Sequence, residues 1–357
     1  MEFAQRIRRI PVYPAADGYA LDDDVAMLAS NESPFRPLPE VVAAAQRAIE
    51  GVNRYPDPAS SRLRGALSSR YGVPTARIAV GNGSCDVLLA AGDALLEPGA
   101  ELVYAWPSFS MYPHLAAASG ATAVTVDLDA DDRHDLDAMA DAVTVATRLL
   151  VVCNPNNPTS TAVPASALAG LLERVPPYVC VIVDEAYREF ATLEDPDTTV
   201  DLLRDHPNLV LLRTFSKVHG LCGLRVGFAL CGSPELRTAV DQVRQPFFLN
   251  AAAQAAATEA LRHQDEVTRR VEQTIAARLL VEDGVRGLGL APADSEANFT
   301  WFGLGEDRDE AAIVRGLAER RVLVRAGTSL GREGFLRVTI GAPEENERFL
   351  AALGELL

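Results

Sequence analysis

The chain has 357 residues, 48% hydrophobic and 23% charged, enough material for one large and one smaller core. A formal net charge of −16 excludes the broad basic footprint of a nucleic-acid or anionic-membrane binder, though local arginines can still hold a small anion. Five scattered cysteines with no CxxC pair or Cys/His cluster exclude a zinc site and fit a reducing cytoplasm, and no run of about 18 apolar residues exists to span a membrane.

In chain order, Pro11, Pro14 and Gly18 break the first thirty residues into an arm expected to join the C-terminal part. Apolar segments at 78–80, 102–105, 123–126, 149–153, 179–183, 209–212 and 226–230 then predict strands. Helical patterns at 85–96, 112–119, 165–174 and 235–245 lie between several of them. This alternation predicts an α/β fold with a mostly parallel sheet covered by helices and ligands beyond the strand C-termini. A helical pattern over 251–283 follows, broken by Gly284 to Gly289. Strand-like 298–302, helix 309–321, strand-like 322–325 and 335–340 and a last helix at 344–357 predict a smaller α+β unit. The expected division is an arm at 1–30, a large domain at 31–250, a connecting helix at 251–283 and a small domain at 284–357.

Five features fall at strand ends. Thr214-Phe215-Ser216-Lys217 comes first, with Arg225 eight residues past the lysine. A lysine at a buried strand end is costly to desolvate without a partner or a covalent bond, and a Schiff base to an aldehyde supplies one. Ser216 and Arg225 offer a phosphate a hydroxyl and a fork of N–H donors. Asp184-Glu185-Ala186-Tyr187 places a carboxylate that can keep a ring nitrogen protonated, with Tyr187 one helical turn on. The prolines of Asn154-Pro155-Asn156-Asn157-Pro158-Thr159 hold amides that can donate to a phenolate. Gly81-Asn82-Gly83-Ser84-Cys85 opens a helix whose free N–H groups suit a phosphate. Trp106-Pro107-Ser108-Phe109-Ser110-Met111-Tyr112, after the strand at 102–105, offers an aromatic that can stack on a flat ring. Singly these have ordinary readings: a solvated lysine, a helix-cap aspartate, turn asparagines, a core aromatic. Jointly they meet the needs of a pyridine aldehyde phosphate.

With these motifs in this order the chain resembles the fold-type I pyridoxal-phosphate aminotransferases, class II in sequence, and within them the histidinol-phosphate branch. The resemblance runs from Arg9 to Gly341. It includes Ala29-Ser30-Asn31-Glu32-Ser33-Pro34, Asn53-Arg54-Tyr55-Pro56, the CNPNNPT loop at 153–159, DEAY at 184–187, RTFSK at 213–217, GLR at 223–225 and Leu336-Arg337-Val338-Thr339. It implies that Lys217 is the Schiff-base lysine and proton shuttle, and Asp184 the ring-nitrogen partner. It implies Asn157 and Tyr187 at the phenolic oxygen and Phe109 on the ring face. The phosphate would fall to the Ser84 and Cys85 amides, Thr214, Ser216 and Arg225. Tyr55 would reach the cofactor phosphate of a second subunit, so a homodimer is implied. Arg337 would bind the substrate carboxylate and, with Tyr13 and Arg325, a substrate phosphate. The implied reaction is ping-pong transamination of histidinol phosphate with 2-oxoglutarate, in histidine biosynthesis. Aromatic amino acids such as phenylalanine are the second reading, and a non-catalytic module of the same fold the remote one. Two departures stand out: Cys85 replaces a residue that is often acidic, and Ser160 replaces the usual glycine after Asn-Pro-Thr.

Overall fold

The computed structural model describes residues 1–3, 7, 8, 10 and 24–357. After the short strand β1 (Ala26–Met27) come α1 (Pro39–Ile49) and α2 (Ser61–Tyr71). Pro39 begins α1, where its missing N–H leaves no bond unmade, and Val41 and Ala44 turn inward. The main sheet then forms from β2 (Ile78–Gly81), β3 (Glu101–Trp106), β4 (Thr122–Asp127), β5 (Thr147–Cys153), β6 (Cys180–Asp184), β7 (Leu209–Thr214) and β8 (Gly227–Cys231). Their order is β2-β8-β7-β6-β5-β3-β4. Strands β4, β3, β5, β6 and β7 are parallel, and β8 runs antiparallel between β7 and β2.

Helices cover both faces, so the inner strands are runs of Val, Leu and Ile with no polar alternation. Leu150, Val152, Val181 and Leu211 meet α2, α6 (Ala165–Arg174) and α8 (Ala251–Ala260) on one face. Leu149, Val151, Ile182 and Leu212 meet α3 (Ser84–Leu95), α4 (Met111–Ser119) and α7 (Pro234–Gln242) on the other. The parallel strands end on a common edge: Cys153 of β5 stands in register with Asp184 of β6. A short helix, α5 (Leu136–Asp141), closes the crossover between β4 and β5.

A further core gathers around α9 (Gln264–Gly287), β9 (Phe299–Gly303), α10 (Glu310–Glu319), β10 (Val322–Leu323), β11 (Arg325–Ala326), β12 (Phe335–Thr339) and α11 (Pro343–Leu356). Strands β11, β12 and β9 make an antiparallel sheet, and β1 pairs in parallel with β10. Ala26 and Leu28 are buried in this core, and Leu28 accepts from the Thr339 N–H at 2.9 Å.

Three local readings need correction. The helical pattern at 251–283 is two helices, because the chain turns at residues 261–263 and α9 restarts with Asp265 and Glu266 in its first turn, where acidic side chains suit the helix N-terminus. Gly284 does not end α9, which runs on to Gly287. A Cβ there would stand 2.5 Å from Leu350 Cδ1, so this glycine lets α11 approach closely. No α-helix follows Asp184 either: Tyr187 leads into a single 3-10 turn at Arg188–Phe190.

Candidate active site

The common strand edge opens into a cavity of about 460 Å³. From the main sheet it is lined by Ser84 and Cys85 at the start of α3, by Phe109 after β3, by Asn157 after β5, by Asp184 and Tyr187 at the end of β6, and by Thr214, Ser216 and Lys217 after β7. Arg225 comes from the turn before β8. Arg325 and Arg337 enter from the small sheet, where they face each other in register on β11 and β12. The segment after β1 contributes Ser30, Asn31 and Glu32.

Asp184 is buried, and its Oδ2 accepts from the Tyr112 hydroxyl at 3.1 Å. Burial raises its pKa to about 6, because a carboxylate loses water's stabilisation there. Lys217 Nζ donates to the carbonyls of Asn31 (2.9 Å) and Ser30 (3.2 Å) and lies 5.4 Å from the Tyr187 ring centroid. Burial first, and then the nearby Arg337 charge, lower its pKa to about 8. The Tyr187 hydroxyl accepts from Asn31 Nδ2 at 3.1 Å and Asn157 Nδ2 at 3.4 Å, and burial pushes its pKa up to about 12. Arg337 donates to Asn157 Oδ1 at 2.6 Å and to the Ala29 carbonyl at 2.5 Å.

The phosphate-suited end is built from orphan donors. Helix α3 has no side-chain cap, so its first N–H groups stay free to meet an anion. Gly83, at φ +82°, lets this turn pass Arg225, since a Cβ would lie 2.5 Å from Arg225 Nη2. Arg225 itself sits at φ +56° in the left-handed region, a conformation costly for a side chain with a Cβ. It has no carboxylate partner among the described residues; Nη1 donates to the Cys222 carbonyl at 2.9 Å. Thr214 and Ser216 hydroxyls bond each other at 2.9 Å.

All but two of the expected site residues border this cavity. Tyr55 does not: it is 80% exposed and stacks on Phe247 with centroids 4.4 Å apart. Tyr13 lies outside the described residues. Sequence reasoning missed Tyr112, which holds Asp184, and gave Asn31 no role. It also missed that Glu185 and Arg213, inside the DEAY and RTFSK motifs, are a buried ion pair at 2.8 Å beneath the site. One available signal went unused: Lys217 is the only lysine among the chain's 33 basic residues. Ser160 is buried at φ +64°, which explains why glycine suits that position.

The donor set suits pyridoxal phosphate: a buried acid for a ring nitrogen, a partly neutral amine for an aldehyde, amide and hydroxyl donors for a phenolic oxygen, and free helix N–H groups with an arginine for a phosphate. Comparisons with known proteins agree. The family described as aminotransferase class I and II matches residues 23–353. An aromatic amino acid aminotransferase of Thermobifida fusca (strain YX) is 46% identical over 96% of this chain and 93% of its own length. Histidinol-phosphate aminotransferase 2 of Ralstonia nicotianae is 42% identical over 93% of this chain and 89% of its own length. The structure of histidinol-phosphate aminotransferase from Sinorhizobium meliloti in complex with pyridoxal-5'-phosphate superposes with a TM-score of 0.89 at 30% identity, covering 99% of this chain and 97% of that one. The chain belongs to the class I and II aminotransferase family and is a pyridoxal-phosphate-dependent aminotransferase with the fold-type I architecture.

Proposed function

We propose that this aminotransferase takes its amino group from a donor with a flat aromatic side chain, an aromatic amino acid before histidinol phosphate, and passes it to 2-oxoglutarate. The carrying observation is the pair Arg325 and Arg337 in register beside Leu330 in one cavity. Arg337, buried and braced by Asn157 and Ala29, is suited to a carboxylate common to every amino acid substrate. Arg325 has no ion-pair partner among the described residues, which leaves it for the second carboxylate of the acceptor. Leu330 offers apolar surface to a ring. Relatives bearing the aromatic name reach 46% identity and those bearing the histidinol-phosphate name 42%, which supports this order. Histidinol phosphate stays the second reading, because the two arginines could also clamp a phosphate.

Pyridoxal phosphate, when bound, supplies an aldehyde for amines and a ring that draws electrons from the substrate Cα. Lys217, with its pKa near 8, has an amine fraction free to react and to carry the Cα proton. Asp184 holds the ring-nitrogen proton. Tyr187 and Asn157 donate toward the phenolic oxygen, and Phe109 covers a ring face. Ser84 and Cys85 amides with Thr214, Ser216 and Arg225 hold the phosphate, a contact that does not depend on the Cys85 side chain. Tyr55, exposed beside Phe247, belongs to a homodimer interface in this reading and completes a partner's phosphate site. The same reading keeps the division into an arm at 1–30, a large domain at 31–250 and a small C-terminal domain, with the connection between the domains made by the two helices α8 and α9 in place of one helix at 251–283. It places the chain in the cytoplasm, in keeping with five free cysteines. Among the described residues no helix is long and apolar enough to cross a membrane.

Single-turnover spectra with phenylalanine, tyrosine and histidinol phosphate as donors test the substrate. A higher kcat/KM for the aromatic amino acids is expected; a clear preference for histidinol phosphate would reverse the order, and inertness toward all of them would end the proposal.

A further inference from the structure

Asn31 has no part in the chemistry assigned above, yet every polar group it carries is engaged. It is 1% exposed and sits at φ +53°, a left-handed conformation that asparagine tolerates better than most residues. Its N–H donates to Thr339 Oγ1 at 2.9 Å, and the same hydroxyl donates back to Asn31 Oδ1 at 3.1 Å. Its Nδ2 donates to the Tyr187 hydroxyl at 3.1 Å. Its carbonyl accepts from Asn298 Nδ2 at 3.2 Å and from Lys217 Nζ at 2.9 Å.

The hydrogen-bond pattern assigns the donor directions. A guanidinium has only donors, so Arg337 fixes Asn157 with its oxygen inward and its Nδ2 toward Tyr187. At Asn31 the Thr339 hydroxyl accepts the Asn31 N–H and gives its own proton to Oδ1, which leaves Nδ2 for Tyr187. Two amides therefore donate to the Tyr187 oxygen, and its single proton is left to point into the cavity. At Lys217 the acceptors are main-chain carbonyls. A carboxylate in hydrogen-bond contact would trap the ammonium, whereas two neutral carbonyls orient it and still release its proton.

We infer that Asn31 is a positioning residue for both proton carriers: with Ser30 it docks the Lys217 ammonium whenever the lysine is not bonded to the cofactor, and through its amide it makes Tyr187 a donor toward the cavity. The inference rests on the proposed role of Lys217 as the reacting amine. The titratable and charged groups facing Lys217 are Arg337 on β12, Arg225 and Cys222 before β8, Asp184 and Tyr187 at the end of β6, and Glu32 after β1. None of these changes in the variants below.

Because Lys217 is the only lysine, selective carbon-13 lysine labelling of the full chain without cofactor gives one side-chain signal whose pH midpoint belongs to that residue. Asn31→Gly accepts the left-handed backbone and removes the side chain, while Thr339→Val removes only the hydroxyl that holds Asn31. Both should shift the midpoint down, since an ammonium that loses aligned acceptors is easier to deprotonate. An unmoved midpoint in a folded variant, with only a lower Tm, would reduce Asn31 to a structural residue and overturn the inference. Should one variant fail to fold, the other decides. Borohydride reduction of the cofactor-loaded wild type, read by mass spectrometry, separates the two claims. An unmodified Lys217 removes the reading on which the inference stands, and a modified Lys217 with an unmoved midpoint removes the inference alone.

Discussion

The two ends of the cavity are built in different ways. At the end proposed to hold the ring nitrogen and the phosphate, Asp184, Thr214, Lys217 and the start of α3 hang on strands whose register is fixed by hydrophobic burial on both faces. At the end proposed to meet the substrate, Arg325, Arg337 and Asn31 arrive from a small sheet and from the segment after β1, joined by hydrogen bonds that span up to 308 residues of sequence. In the proposed function the first end carries the chemistry, on strands packed on both faces. In the same proposal the second end meets the substrate with separate side chains on short strands and on the segment after β1.

The largest expected effect tests the first end. Lys217→Ala should cost at least a thousandfold in kcat, about 4 kcal/mol or more, and abolish borohydride trapping of cofactor on the chain. A trapped side-chain adduct in that variant would break the contrast at its root.

Next comes pH. Burial holds Asp184 protonated up to about pH 6, whereas the unfolded chain releases that proton near its ordinary 3.8. The stabilisation this gives the cofactor-free fold is complete below about 3.8 and lost as pH rises through about 6. Pairing with a protonated ring needs the ionised carboxylate, so cofactor affinity should fall as pH drops through the same value. Imine formation needs the neutral amine, so it should rise as pH passes about 8 at Lys217. Asp184→Asn should erase the lower limb and leave the upper one. Equilibrium reconstitution between about pH 5 and 9 reads both limbs, and a lower limb surviving in that variant would locate it elsewhere.

A smaller effect sharpens the substrate end. Arg325→Ala should raise KM for 2-oxoglutarate by about tenfold or more, the loss of one charge-assisted contact, with little change for phenylalanine. Equal losses for both would mean that Arg325 supports the cavity and does not read the second anion. The smallest effect concerns the loop between the ends. Ser160→Gly should raise stability by up to about 1 kcal/mol, because glycine meets φ +64° without the Cβ penalty. Thermal unfolding of the cofactor-free protein reports it, and a lower Tm would show that the Ser160 hydroxyl bond to Thr159 O outweighs the strain.

Legibility followed the same division. The end proposed for the cofactor could be read because most of its residues closely follow an apolar strand, Arg225 before β8 being the exception, so sequence order already places them on the ligand edge. Even there, Tyr112 escaped notice, since a tyrosine in a helical pattern gives no sign that its hydroxyl will meet a carboxylate from another strand. The Glu185–Arg213 pair was equally silent, because a motif does not say which of its charges face the cavity and which brace the sheet. Gly284 read as a helix stop when its purpose was contact with α11.

By itself the sequence determined the α/β alternation, the placement of Lys217 and Asp184 at strand ends, and the identity of the family, since burial periodicity and strand-end motifs are local properties. Only the tertiary structure decided that Arg325 and Arg337 stand side by side, that Asn31 cradles Lys217, and that Ser160 is held in a strained conformation. Those relations depend on sheet pairing and hydrogen bonds between distant segments, whose partners no local pattern encodes.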